Sequence, residues 1–422
     1  MEPQNDRVIN GLLKADIGLL TPEAVEHRLA QNVIIQADPR RASAGDLWPA
    51  IWFLAAVLER QFTGTVIIDA GLKGPLPAPI PLSPRCRFAP TATRHAGITV
   101  SIDPASELGT GPISTTGDAR GNELGYGAAL DSGNPAHPIT ACAIAGYLGF
   151  SALAEACGVP PFHAQWRAGR LALPFDPDRP FVPPDFSVLG TGQVGQAFLA
   201  LAFFLTASTD KPSVHLVDKG TFEEPNLRTQ VLLTHDLQRW SERAKVDYLA
   251  ELCGSWGWTA SAERTEINWG WRCKQTRSRF AFLGFDNMDA RRVGAEGGFD
   301  WLFECGVGPD LCQPRVSWHS LPPDRQLAKR LFRDPGERRW SQSEFAKSLG
   351  ETAGSCGRVT FENIDASAPS LGLVAAAFSW AEVLNYMAGD RCPYSGGAYA
   401  WSPLLPIDRI ALIPSDAVRK AA

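Results

Sequence analysis

Short runs of uninterrupted apolar residues, each ending at a glycine or an acidic residue, recur along the chain. In the first part they are NVIIQAD, TVIIDAG and ITVSIDP; beyond residue 185 they are FSVLGTG, SVHLVDKG and FAFLGFDN. Apolar runs without polar alternation predict strands buried on both faces, the pattern of parallel sheets. Segments of helical length separate them. AIWFLAAVLERQ and QAFLALAFF predict core helices; HPITACAIAGYLGFSALAEACG and PSLGLVAAAFSWAEVLNYMAG predict long helices rich in small side chains. Alternation of such strands and helices predicts a doubly wound α/β architecture.

The order of these elements repeats. Each half runs strand, helix, strand, strand and closes on a small-residue-rich helix. Between the halves, Val159 to Asp185 carries seven prolines in 27 residues, which predicts an extended connector. The expected organisation is residues 1–160 as one domain, 161–185 as a proline-rich linker and 186–422 as a second domain. A true repeat predicts two Rossmann-like halves packed as a pseudo-dimer, the N-terminal one degenerate. The alternative is that any two α/β domains look alike at this level.

Composition narrows the class. Apolar residues make up 45% and charged residues 20%, ordinary for a globular protein. The 40 basic and 45 acidic residues give a formal charge of −5, which argues against nucleic acid as the main partner. The opening MEPQNDRVINGLLKAD is polar, without the apolar core of a secretory signal. No run is judged long enough to span a bilayer, and FLALAFFL sits where a core helix belongs, so no membrane partner is expected. Nine cysteines without a C-x-x-C pair read as reduced thiols of a cytoplasmic protein rather than as disulfides or a zinc site. The thirteen tryptophans read as core and interface residues.

Candidate chemistry begins at FSVLGTGQVGQAF. Gly190, Gly192 and Gly195 have the G-x-G-x-x-G spacing between a strand and a helix. A tight glycine turn and the free N–H groups opening a helix suit a phosphate, but do not distinguish NAD from another nucleotide. Asp218, ending SVHLVDKG, fits the acidic residue that holds ribose hydroxyls, although strand-end aspartates also make turns. The matching loop of the first half, DPRRASAGDLW, lacks the glycines.

The residues beyond Asp218 discriminate. The chain continues KGTFEEPNLRTQVLLTHDL, then Lys245 in SERAKVDYLAEL, then FAFLGFDNMDARR. The ordered set Gly190, Gly192 and Gly195; Asp218; Asn226, Leu227 and Gln230; Lys245; Asp286, Asn287 and Arg291 resembles the ThiF/MoeB/ubiquitin-activating (E1-like) superfamily. The resemblance covers residues 186–390 and reaches the first half only through the repeat. Two positions depart from it: Thr229 stands where the family has an arginine, with Arg228 one residue earlier, and Gly220 replaces a second acidic residue. The zinc-binding cysteine pairs of many bacterial members are absent.

The resemblance implies ATP and Mg²⁺ as cofactors, with Asp286 holding Mg²⁺, Lys245 and Arg228 facing the phosphates, and Asp218 on the ribose. Asn226, Gln230, Asn287 and Arg291 would complete the nucleotide site. Those residue types suit adenylation, in which a carboxylate attacks the α-phosphate and charge develops on phosphoryl oxygens. The family also takes an arginine across a dimer interface; Arg28, Arg40 and Arg41 are the candidates, and DPRR reads equally as a solvated loop.

Relatives that trap the acyl-adenylate as a thioester need an accessible thiol. Cys356, in the polar segment GETAGSCGRV before the closing helix, is the expected nucleophile, with Arg358 near its thiolate. Cys305 reads as a buried strand residue, Cys142 and Cys157 as helix core, and Cys273 and Cys312 as weaker candidates. The chain thus looks like a minimal bacterial activating enzyme of phage-defence conjugation operons. That implies a ubiquitin-like protein as substrate and a conjugating enzyme as partner. The alternative within the class is adenylation of a sulfur-carrier protein or peptide without an enzyme thioester. Outside it stand an NAD-dependent oxidoreductase, which needs neither N-L-R-T-Q nor D-N-x-x-x-R, and an inert scaffold, favoured only by Thr229 and Gly220.

Overall fold

The structure, a computed structural model, describes residues 7–14, 21–89, 97–102, 114–126, 135–157, 169–179, 182, 184–206, 211–274, 280–307, 315–332, 368–399 and 408–411. The N-terminal half runs α1 (Arg7–Lys14), α2 (Pro22–Leu29), β1 (Val33–Ala37), α3 (Pro39–Ser43), α4 (Trp48–Gln61), β2 (Val66–Asp69), β3 (Cys86–Phe88), β4 (Ile98–Ile102), β5 (Ser114–Arg120), β6 (Glu123–Tyr126), α5 (Pro138–Cys157) and β7 (Gly169–Ala172). The second half opens with β8 (Phe186–Leu189), α6 (Gln193–Leu205), β9 (Ser213–Val217), a 3₁₀ turn (Glu224–Arg228), α7 (Lys245–Ser255) and β10 (Thr259–Glu263). It continues with β11 (Phe280–Leu283), α8 (Met288–Gly294), β12 (Trp301–Val307), β13 (Arg315–Leu321), α9 (Arg325–Leu331), α10 (Pro369–Met387), β14 (Tyr394–Tyr399) and β15 (Asp408–Ala411).

The two sheets share one plan. Their orders are β3-β2-β1-β4-β5-β6-β7 and β10-β9-β8-β11-β12-β13-β14-β15. In each, the first five strands are parallel and the rest antiparallel. Each also inserts a long apolar helix, α5 or α10, before its next antiparallel strand.

The halves meet through helices. α5 lies along α10, and α4 and α6 flank them. Gly146 of α5 permits the close approach, since a Cβ there would sit 2.7 Å from Val374 Cγ2 and 2.8 Å from the Ser370 carbonyl oxygen of α10. Phe204 of α6 packs on Trp52 and Phe53 of α4, with ring centroids 5.7 and 5.2 Å apart. Gln61 Nε2 donates to Ser370 Oγ at 2.8 Å. One apolar core therefore runs through both halves.

Two expectations are corrected. Within the supposed linker 161–185, Gly169–Ala172 form β7, which pairs with β6; the prolines only flank this strand. α5 is long and apolar enough to cross a membrane. Its Thr140, Ser151 and glycines mask that character in the sequence, and in the fold it is buried nearly all round because neighbours cover every face.

Candidate active site

The site forms where β8, β9 and β11 end side by side, the crevice that doubly wound sheets offer to ligands. Gly190 leaves β8 with φ +87° and donates its N–H to the Val217 carbonyl at 2.9 Å. A Cβ there would lie 2.8 Å from the Phe285 ring and 2.9 Å from the Gly284 carbonyl carbon, so turn and contact both require glycine. Gly195 packs directly on the Gly190 carbonyl oxygen. Gly192 caps α6 without a side-chain hydrogen bond and faces open space, at a helix N-terminus whose dipole and N–H groups suit an anion.

Asp218 holds this loop in place. Its Oδ2 accepts the Thr191 N–H at 2.7 Å and the Thr191 hydroxyl at 3.0 Å, and its Oδ1 accepts the Gly220 N–H at 2.8 Å. A carboxylate has about four acceptor sites, so one remains for a ribose hydroxyl. Lys245 begins α7 with its N–H on the Gly220 carbonyl at 3.0 Å. Its side chain passes so close that a Cβ on Gly220 would lie 3.4 Å from Lys245 Cε and 3.1 Å from Asp218 Oδ1. The departure at Gly220 thus makes room for Lys245 beside Asp218.

Asp286 is exposed just after β11, next to the Phe285 ring that covers Gly190. The exposed Lys219 lies near enough to feel both Asp286 and Asp218. The Lys219 pKa is raised, first by its 2.5 Å bond to Glu266 and further by Asp218 and Asp286. Among the described residues no three His, Cys, Asp or Glu side chains cluster as a metal cage. Asp286 offers the single carboxylate oxygen donor that would suit a hard cation such as Mg²⁺.

Other expected residues serve the frame. Asn287 caps α8, its Oδ1 accepting the Asp289 and Ala290 N–H groups at 2.8 and 3.3 Å. Arg291 is buried behind the loop, donating from Nε to the Phe285 carbonyl at 2.6 Å and pairing with Glu304 Oε1 at 2.7 Å. Glu304 is fully buried and also accepts from His319 Nδ1 at 2.6 Å. Burial pushes its carboxyl up, but Arg291 and His319 outweigh that and hold it below the usual range.

Asn226 is buried in a capping box with Glu223, and Gln230 Oε1 accepts from Gln196 Nε2 at 2.6 Å. Arg228 turns away towards the first half, donating to the Gln61 carbonyl at 3.3 Å. It lines a cavity of about 800 Å³ shared with α1, α2 and Leu227. Thr229 is buried, its hydroxyl donating to the Asn226 carbonyl at 3.5 Å.

Cys305, Cys142 and Cys157 are buried, as expected, and burial pushes their thiols up, that of Cys157 to about 12. Cys273 is partly buried. Cys356, Arg358 and Cys312 lie outside the described residues. Sequence reasoning missed Thr191, Gln196, Gly284 and Glu304. The T of G-T-G beside a strand-end aspartate is the one local signal that points to any of them.

Residues 182–390 match the model of the BilD C-terminal domain. The bacterial E1-like protein BilD of Collimonas sp. (strain OK412) is 24% identical over 238 residues, 54% of this chain and 50% of that protein. Over these residues the chain is similar to the C-terminal domain of an E1-like protein. The chain spans about half the length of that curated relative. Among solved structures, the chain is similar to E. coli MccB with MccA-N7isoASN, at 15% identity and TM-score 0.37. It is also similar to E. coli MccB with ATP, at 14% identity and TM-score 0.35. Each match covers 54% of this chain and 64% of the MccB chain. In the matched region the glycine loop, Asp218, Lys245 and Asp286 are the residues brought to one crevice.

Proposed function

We propose that the chain uses ATP to adenylate the C-terminal carboxylate of a ubiquitin-like protein, and then transfers the acyl group to its own Cys356 for delivery to a conjugating enzyme. The observation that carries the adenylation step is the crevice itself. A glycine loop with open space at Gly192, an aspartate with one acceptor site left, a lysine and an exposed strand-end aspartate share one edge. The match to the BilD C-terminal domain over residues 182–390 supports the same reading.

In this mechanism the α6 N-terminus and the glycine loop bind the phosphates, and Asp218 orients the ribose. Asp286 would hold Mg²⁺, which supplies charge neutralisation at the phosphoryl oxygens. A carboxylate oxygen of the substrate attacks the α-phosphorus, and the bond to the β-phosphate oxygen breaks. Pyrophosphate leaves with that electron pair. Lys245 offsets the charge growing on the phosphoryl oxygens. Cys356 thiolate then attacks the acyl carbon and AMP departs, leaving a thioester.

The first half is read as a degenerate copy packed as a pseudo-dimer partner. The shared strand plan supports this, as does Asp69 ending β2 where Asp218 follows β9. The space after β1 is filled by α3, whose Arg41 bonds to Asp118 Oδ1 at 2.8 Å, Asp46 Oδ2 at 2.6 Å and the Ala119 carbonyl at 3.0 Å. Arg41 so engaged is a lock on its own half; Arg28 and Arg40 remain exposed.

Isothermal titration calorimetry of the full chain tests the nucleotide. Mg²⁺-ATP should bind, NAD should not, and Asp218→Ala should lose ATP binding. Tight NAD binding would replace this reading with the oxidoreductase.

A further inference from the structure

Arg60, near the end of α4, has a fully buried guanidinium. All five of its N–H groups are used. Nε donates to the Gln230 carbonyl at 2.9 Å, and Nη2 donates to the Val231 and Leu233 carbonyls at 3.1 and 2.6 Å. Nη1 donates to the Ala56 carbonyl at 2.6 Å and to Glu59 Oε1 at 2.7 Å. Three of these acceptors belong to the other half, in the segment just after the 3₁₀ turn.

Glu59 is buried and fixed in turn. Its Oε2 accepts the Ser83 N–H at 3.1 Å, and Oε1 stands 3.7 Å from His235 Nε2 of the second half. Burial raises its pKa, but His235 and Arg60 prevail and bring it to about 2. The guanidinium thus gives charge-assisted hydrogen bonds to the Gln230, Val231 and Leu233 carbonyl oxygens, the first of which also accepts the Leu233 N–H.

The same segment reaches the glycine loop. Gln196 of α6 accepts the Leu232 N–H at 3.1 Å and donates from Nε2 to Gln230 Oε1 at 2.6 Å and to the Thr191 carbonyl at 3.2 Å. Thr191 is the residue that Asp218 grips. A continuous chain of hydrogen bonds thus runs from α4 of the first half to the aspartate of the nucleotide crevice.

We infer that Arg60 is a positioning residue by which the N-terminal half sets the shape of the glycine loop, making nucleotide affinity in one half depend on a side chain of the other. With its donors spent on carbonyls and Glu59, it acts through Gln230 and Gln196 rather than on phosphate. The inference rests on the nucleotide reading above, and the experiment separates the two.

Arg60→Lys keeps the charge and the stem but replaces the fork with a point donor. Calorimetry with Mg²⁺-ATP on the full chain should show the Kd rise roughly tenfold. Amide exchange should quicken at residues 190–196 and 226–233 while α10 keeps its protection. A merely structural role would lower the melting temperature and speed exchange throughout, with Kd unchanged, and that outcome refutes the inference. Where wild type binds no ATP the nucleotide assignment fails, and exchange confined to those two segments decides the tether alone. Should Arg60→Lys not fold, Gln196→Asn shortens the link by one methylene. It must also weaken ATP, and an unchanged Kd overturns the proposal.

Discussion

Glu304→Gln is the most quantitative probe of the Asp286 loop. Glu304 is fully buried with Arg291 Nη1 at 2.7 Å and His319 Nδ1 at 2.6 Å. Removing one partner of a buried pair costs about 3–5 kcal/mol, because the surviving charge stays buried without compensation. The amide keeps the shape and part of the hydrogen bonding, so we expect about 2–3 kcal/mol at pH 7 by urea unfolding. Arg291→Met alone should cost a similar amount, and the double variant clearly less than the sum. Arg291 also holds the Phe285 carbonyl at 2.6 Å, and Phe285 covers Gly190, so Glu304→Gln should weaken Mg²⁺-ATP binding as well. The pH sign is set by the direction of the shift. The Glu304 carboxyl lies below its usual value when folded, so its stabilisation is present above about pH 4.3 and is lost as pH falls through the folded pKa. The gap between wild type and Glu304→Gln should therefore close in acid. A variant within about 0.5 kcal/mol of wild type at pH 7 would refute the coupling.

Gly190→Ala forces a side chain into φ +87° against Gly284 and should cost at least about 1–2 kcal/mol by thermal unfolding and abolish ATP binding. Glu59, held at about 2, adds stability above about pH 4.3 that disappears as pH falls towards 2, so Glu59→Gln should flatten the acid limb of a pH–stability curve. Wild type with ATP and carrier should form an adduct that survives denaturing gels without reductant and vanishes with thiol; Cys356→Ala should lose it yet keep pyrophosphate exchange. Persistence of the adduct in that variant would place the nucleophile elsewhere.

The inner parallel strands were legible because they are buried on both faces and so read as continuous apolar sequence. VIIQA, VIID, FSVL and FAFL all became strands. The far side of each sheet was not, because STTGDAR of β5, the last parallel strand of its sheet, and YSGGAY of the antiparallel β14 carry no such signal, and β7 hides among prolines. The crevice was legible as an ordered motif, since glycine turns and strand-end aspartates are local features. Its supports are long-range pairs. Arg60 in LERQ reads as the solvated last turn of a helix until the second half closes over it. Glu304 in LFECGVG reads as an interruption of a strand until Arg291 arrives from α8.

The central claim is that a substrate carboxylate attacks the α-phosphate of ATP bound at this crevice. ATP–pyrophosphate exchange with a ubiquitin-fold carrier bearing a free C-terminal carboxylate, and with the same carrier amidated at that end, tests it most directly. The account predicts exchange with the free carboxylate, none with the amide, and none in Asp286→Ala despite an unchanged circular dichroism spectrum. Exchange that proceeds equally with the amidated carrier, or undiminished in Asp286→Ala, would contradict it.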